Sequence, residues 1–227
     1  MNTSISDLNN NNISYSNNNN ISYSNNNNIS DSNNNMSDSI IEDRISFKQI
    51  FIETCTLWKK RSTCQRLQTA AVLVRDNNII SIGYNGVPRN QKHCIDFWKE
   101  FYDTIKGLES NDEILLFYDA IVKDLNFNYN LMININSYEE FINSEVFLIL
   151  HHYWSDLNEL HAEQNALLQA EVSTSGATLY TLYSPCRQCA KSIISAKIYK
   201  VIYDVEYSRD LQGIELLKSS GIIVEKI

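Results

Sequence analysis

The sequence predicts an α/β chain: a three-layer α/β/α domain on a mixed five-stranded sheet, with a helical insertion. Three observations carry this. Residues 178–224 alternate β-rich runs with helical stretches in the order strand, helix, strand, helix, strand, which calls for parallel pairing through right-handed crossovers. Two further β-rich runs lie upstream in "QTAAVLVRDNNIISIGYNG", joined by Asp76-Asn77-Asn78, a hairpin signal. The 227 residues, 43% hydrophobic and 20% charged, suffice for one domain with a substantial core and an insertion, but hardly for two.

The first 39 residues have a different character. "NNISYSNN" recurs with an eight-residue period that puts Ile13, Ile21 and Ile29 in step among asparagine and serine. A solenoid repeat needs far more apolar surface per unit, so residues 1–39 are expected to be a disordered low-complexity tail without a catalytic role, and the domain is expected over 40–227. Phe47, Ile50, Phe51, Cys55 and Trp58 follow helical spacing and predict an amphipathic helix ending near Arg61. Residues 95–150 are rich in aromatics and acids and read as the insertion, with helical periodicity at Phe97–Ile105, Ile114–Ile121 and Tyr138–Leu150. Beyond it, helices are expected at Ala162–Glu171, Cys186–Lys197 and Asp210–Ser219, and strands at Thr178–Tyr183, Lys200–Tyr203 and Ile222–Val224.

Composition excludes several functions. The net charge is −8 and no lysine or arginine run forms a basic stripe, which argues against a protein that grips a long phosphate backbone; a small anionic ligand needs only a local basic pocket. No stretch approaches the roughly 18 consecutive apolar residues of a membrane span, and no basic segment followed by an apolar run opens the chain. The expected location is cytosolic or nuclear, the cytoplasm by default. Five cysteines, an odd number, read better as metal ligands, catalytic groups or buried thiols than as a disulfide framework.

Chemistry concentrates in two places. "HHYWSDLNELHAEQNA", residues 151–166, holds three of the chain's four histidines and two glutamates. His161-Ala162-Glu163 is then followed by Pro185-Cys186-Arg187-Gln188-Cys189. Cysteines three apart at a helix start project from nearly one face, and the helix N-terminus favours their thiolates, so both sulfurs can reach one ion. His161 supplies a third ligand, leaving the fourth tetrahedral position of a zinc ion open, as catalysis requires. A separation of two residues points side chains to opposite sides of a regular helix. His161 must therefore lie at or before the first turn, with Glu163 inside it as the group that moves protons rather than as a ligand.

The pairing of H-x-E with P-C-x-x-C is that of the zinc-dependent nucleobase deaminases. Within that class "RSTC", "GYNGVPRNQKHC", "HAEQNALL" and "SPCRQCAKSII" resemble the deoxycytidylate (dCMP) deaminases in order and spacing, over about residues 46–94 and 151–227. "QTAAV" departs from the family's usual valine-glycine there. The resemblance implies a cytidine-deaminase-like fold and hydrolytic deamination of dCMP to dUMP with release of ammonia, supplying thymidylate synthesis. It implies a catalytic zinc on His161, Cys186 and Cys189, with Glu163 serving N3 and the departing amine. Some members, notably of phage type, carry a second, structural zinc, whose matching ligands here are Cys64, Cys94, His151 and Glu159; the alternative is that the cysteines are free thiols and His151 a surface residue. Asn85 resembles the family's sugar-contacting asparagine and Tyr207 its aromatic near substrate, though Tyr207 equally suits plain packing at a strand end.

Arg61, Arg66, Arg89 and Lys92 are candidate phosphate partners that the sequence leaves unranked, and His93 and His152 read as solvent or hydrogen-bonding residues. The resemblance further implies a homo-oligomer, up to a hexamer, with dCTP and dTTP as effectors. Cytidine, tRNA adenosine and riboflavin-pathway deaminases share the catalytic motif, and a catalytically silent nucleotide-binding zinc scaffold is a further reading, against which Glu163 speaks.

Overall fold

The computed structural model describes residues 44–107 and 135–227. The expected tail at 1–39 and the expected helix Ile114–Ile121 lie outside the described residues. Helix α1 spans Phe47–Trp58, where the Ser46 hydroxyl accepts from Gln49 N at 3.2 Å and so satisfies a donor the first turn leaves free. A single 3-10 turn, Lys59–Arg61, ends it.

Strands β1 (Ala70–Arg75) and β2 (Asn78–Tyr84) form the expected antiparallel hairpin. Its turn residues, Asp76 and Asn77, take φ of 49° and 61°, the left-handed region that short polar side chains tolerate and that a tight hairpin demands. Then come β3 (Thr178–Tyr183), β4 (Lys200–Val205) and β5 (Ile223–Lys226), giving a five-stranded sheet in the order β2-β1-β3-β4-β5. β1 runs antiparallel to β3, whereas β3, β4 and β5 are mutually parallel. This is the mixed sheet the sequence predicts.

Alternation along the strands builds two cores. Ala70, Val72, Val74, Tyr180, Leu182 and Ile202 pack with Phe51 and Cys55 of α1 on one face. Ala71, Leu73, Leu179 and Val201 meet three helices on the other: α5 (Ala162–Leu168), α6 (Arg187–Ser195) and α7 (Gln212–Ser219). A period of two along each strand against helices on both sides is what the three-layer arrangement requires.

A third cluster lies apart from the sheet. Helices α2 (Cys94–Lys106), α3 (Tyr138–Ile142) and α4 (Glu145–Asn158) enclose Trp98, Phe101, Phe141, Phe147, Leu150 and Trp154 together with Cys64 and Cys94. The single helix expected over Tyr138–Leu150 is in fact two. Ser144 breaks it, because its hydroxyl accepts from Phe147 N at 3.1 Å and caps a new helix; periodicity alone does not register a cap inside an apolar pattern. The helix expected to reach Glu171 stops at Leu168.

Gly83 sets the distance between β2 and α5. A methyl there would lie 2.1 Å from Ala166 N and 2.3 Å from Ala162 O, so only a missing side chain lets the helix sit directly on the strand. Gly83→Ala should destabilise by at least the ~1–3 kcal/mol typical of overpacking. Urea or thermal melts check this, and an unchanged midpoint contradicts it.

Candidate functional site

His161 and Cys186 occupy equivalent places on two helices. Each is the residue before the first helical turn, with extended dihedrals: φ −73°, ψ 159° for His161 before α5 and φ −68°, ψ 169° for Cys186 before α6. Gln164 reaches back so that its side-chain oxygen accepts from His161 N at 3.0 Å. The Cys186 sulfur accepts from Cys189 N at 3.4 Å. With both N-termini facing each other, His161 Nδ1 lies 3.4 Å from Cys186 Sγ and 3.3 Å from Cys189 Sγ.

The donor atoms of His161, Cys186 and Cys189 all fall within 4.8 Å of one another. Two sulfurs and one imidazole nitrogen at this spacing fit a tetrahedral zinc ion with one position to spare. Glu163 stands one residue inside α5, 6% exposed, with Oε2 3.5 Å from Cys189 Sγ. Burial holds its carboxyl above the usual range. His161 is raised to about 9, chiefly by its hydrogen bond with Cys186, while Cys186 is drawn down to about 4 by its hydrogen bond with the Cys189 side chain and then by His161.

Three residues that the sequence analysis did not single out fix this geometry. Asp210 accepts from Arg187 N at 2.6 Å and from Gln212 N at 3.1 Å, so one carboxylate serves the amino ends of both α6 and α7, where a negative charge is favoured. Gly213 admits the closest approach: a methyl there would stand 2.0 Å from Pro185 O. Asn165 donates to Tyr84 O at 2.7 Å, tying α5 to β2. The sequence offered no signal for these, since each depends on what lies opposite in space.

A second donor cluster forms where α2, α4 and the 62–69 loop meet. Cys64 Sγ and Cys94 Sγ each lie 3.3 Å from His151 Nε2, and the donor atoms of Cys64, Cys94, His151 and Glu159 fall within 4.8 Å of one another. His151 is buried at 3% exposure and stacked on Trp98, so it is not a surface residue. Glu159 Oε1 is buried with no hydrogen-bond partner among the described residues. An orphaned buried carboxylate oxygen facing two sulfurs and an imidazole is costly unless a cation completes it. Burial raises Glu159 to about 8, and the hydrogen bond with Cys94 draws Cys64 down to about 3.

Asn85 is 7% exposed. Its Oδ1 accepts from Ser62 Oγ at 2.7 Å and Thr69 N at 2.9 Å, and its Nδ2 donates to Leu67 O at 2.8 Å. One N–H remains for any other partner. Tyr207 is half-buried, packs against the core that contains Cys186 and Cys189, and donates its backbone N–H to Ser184 Oγ at 2.8 Å. His152 is exposed, 3.8 Å from Asp156, and His93 hydrogen-bonds Thr63. Among the described residues no helix is long and apolar enough to cross a membrane.

Two sulfurs and an imidazole, with the buried Glu163 carboxylate beside them, form a donor set that could hold a zinc ion with one position open. The family model "Cytidine and deoxycytidylate deaminase zinc-binding region" matches residues 45–205. The deoxycytidylate deaminase of Enterobacteria phage T4 is 31% identical over 76% of this chain and 86% of its own length; ComE operon protein 2 of Bacillus subtilis (strain 168) is 30% identical over 82% and 73%. A solved structure of the dCMP deaminase of cyanophage S-TIM5 with dCMP and dUMP aligns at 25% identity and a TM-score of 0.50, over 81% of this chain and all of that one. The chain belongs to the zinc-dependent cytidine and deoxycytidylate deaminase family.

Proposed function

We propose that this chain hydrolyses dCMP to dUMP and ammonia, with His161, Cys186 and Cys189 as ligands of the catalytic zinc and Glu163 as its proton-transfer group. The observation that carries the reading is the buried Glu163 carboxylate set beside, not within, the His161–Cys186–Cys189 donor set. The phage T4 relative and the substrate and product in the S-TIM5 complex favour dCMP as substrate.

A zinc ion in this site supplies a Lewis acid that makes water a competent nucleophile near neutral pH. Glu163 takes a proton from the water that adds to C4, protonates N3, and delivers a proton to the departing amine. Atoms balance as dCMP and water giving dUMP and ammonia. Its burial keeps bulk water from competing for those protons. Tyr207 and the remaining Nδ2 hydrogen of Asn85 are the proposed substrate contacts.

Cys64, Cys94, His151 and Glu159 are proposed to hold a second, structural zinc; four ligands close a tetrahedral site. It would join the 62–69 loop to the helices beside it. A homo-oligomer answering to dCTP and dTTP belongs to the same proposal; exposed Phe47, Leu57 and Trp58 on α1 offer an assembly surface.

Glu163→Ala should retain zinc and fold while turnover of dCMP falls by at least the ~10²–10⁴-fold typical of losing a general acid or base. Metal loss, or undiminished turnover, contradicts the assigned role. Metal analysis should find two zinc ions per chain. Cys94→Ser should release one of them and lower the melting temperature, because a structural zinc contributes folding free energy; a count of one in the unsubstituted chain removes the second site.

A further inference from the structure

Among the donors of the catalytic set, Cys186 is delivered by the short connection between β3 and α6. It stands three residues beyond the last residue of β3, immediately before α6, with φ −68° and ψ 169°. A connection of this kind has no ladder or helical bonds of its own, so its backbone groups must be held from elsewhere. Both flanks of Cys186 are held by one stretch, residues 205–213, which leads from the end of β4 into α7. On the strand side, Ser184 N donates to Val205 O at 2.8 Å and Ser184 Oγ accepts from Tyr207 N at 2.8 Å. On the helix side, Asp210 Oδ2 accepts from Arg187 N at 2.6 Å, and Asp210 Oδ1 from Gln212 N at 3.1 Å. Asp210 N donates in turn to Tyr207 O at 3.1 Å. The bonds close a circuit from Ser184 through Tyr207 and Asp210 to Arg187, with Cys186 inside it.

Asp210 is the member of this circuit that controls the ligand. Arg187 is the first residue of α6, so its N–H belongs to the peptide that joins it to Cys186. Fixing that N–H fixes the peptide plane, and with it where Cys186 Sγ stands against Cys189 Sγ. Gly213 presses on the same unit: a methyl there would lie 2.6 Å from Cys186 C and 2.8 Å from Cys186 O. Two sulfurs held close repel once both are thiolates. A geometry settled before the cation arrives removes the cost of ordering them from the free energy of binding. Asp210 is half-buried and lies outside the donor set itself, and its charge meets the positive ends of α6 and α7.

We propose that Asp210 is a positioning residue for the catalytic metal, setting the affinity of the His161–Cys186–Cys189 set by fixing the Cys186–Arg187 peptide rather than by ligation. This rests on the assignment of those three residues as zinc ligands above. Outer groups that orient ligands in this way typically govern roughly 10–100-fold in metal affinity. The cluster of Cys64, Cys94, His151 and Glu159 lies outside the circuit and so provides a reference site within the same chain.

Competition for zinc between the full chain and a chromogenic chelator reads this without turnover. Asp210→Ala should surrender one zinc ion to roughly 10–100-fold less chelator than the unsubstituted chain requires, and hold the other as before. Asp210→Asn, which keeps one oxygen to accept one of the two amides, should fall between. In the Cys94→Ser background, where only the catalytic set remains complete, the same loss should appear and assign the weakened ion. Cobalt(II) loaded in place of zinc gives a spectroscopic signature: in that background Asp210→Ala should shift the visible bands that report tetrahedral geometry. Asp204→Ala removes an exposed acid of β4 and should alter neither affinity nor spectrum, which separates hydrogen bonding from net charge. Should Asp210→Ala fail to fold, Asp210→Asn carries the test.

Unchanged zinc affinity in the Asp210 variants, or equal weakening of both ions, overturns the positioning role and leaves the ligand assignment intact. A melting temperature that falls while the zinc affinities and the cobalt spectrum stay the same likewise reduces Asp210 to a helix cap and overturns the proposal. If Cys186→Ser binds as much zinc as the unsubstituted chain, the ligand assignment itself fails.

Discussion

Two helix N-termini must face each other at contact distance for His161 Nδ1 to meet Cys186 and Cys189 at 3.3–3.4 Å, and much of the fold answers to that requirement. A helix start is a place where backbone N–H groups lie unpaired and anionic sulfur is welcome. Both helices sit on one face of the sheet, so their separation is set by how closely each can approach its neighbours. Gly83 lets α5 touch β2, Gly213 lets α7 touch the backbone of Pro185 and Cys186, and Asp210 satisfies the first amides of α6 and α7 together. An added methyl at Gly83 or Gly213 would stand 2.1 Å from Ala166 N or 2.0 Å from Pro185 O, so the backbone leading to the donor residues would have to shift.

The same economy links the two donor clusters. Glu159 closes α4 and His161 opens α5, with only Leu160 between them, and the paired backbone bonds of Leu160 and Gly86 at 2.9 and 3.1 Å hold that junction to the residue after Asn85. A displacement at one cluster therefore reaches the other through two peptide units. From Cys64 the path runs on into the 62–69 loop, which the buried aromatic cluster around His151 supports.

The parts of this arrangement that were legible in the sequence are those encoded by neighbours along the chain. His161 and Glu163 two apart, Cys186 and Cys189 three apart, and Asp76-Asn77 between two β-rich runs each specify a local geometry without reference to anything distant. The parallel pairing of β3, β4 and β5 followed because alternation of strand and helix leaves few ways to pair, while the order of the five strands came from the structure. What the sequence withheld depends on tertiary approach. Ser144 looked like one more residue in a helical pattern until its hydroxyl was seen to cap a new helix. Nothing distinguished Gly83 or Gly213 from a turn glycine, and Asp210 from any surface acid. His151 and Glu159 lay between: resemblance pointed to them, and the buried, orphaned Glu159 oxygen supplied the physical reason.

The central claim is that a zinc centre built from two facing helix starts deaminates a pyrimidine nucleoside monophosphate. Ammonia release by the purified full chain, compared across dCMP, CMP, deoxycytidine and dCTP with and without a zinc chelator, tests it most directly. The account predicts that kcat/KM is highest for dCMP and that chelation abolishes release. Preference for deoxycytidine, or turnover that persists without zinc, would contradict it.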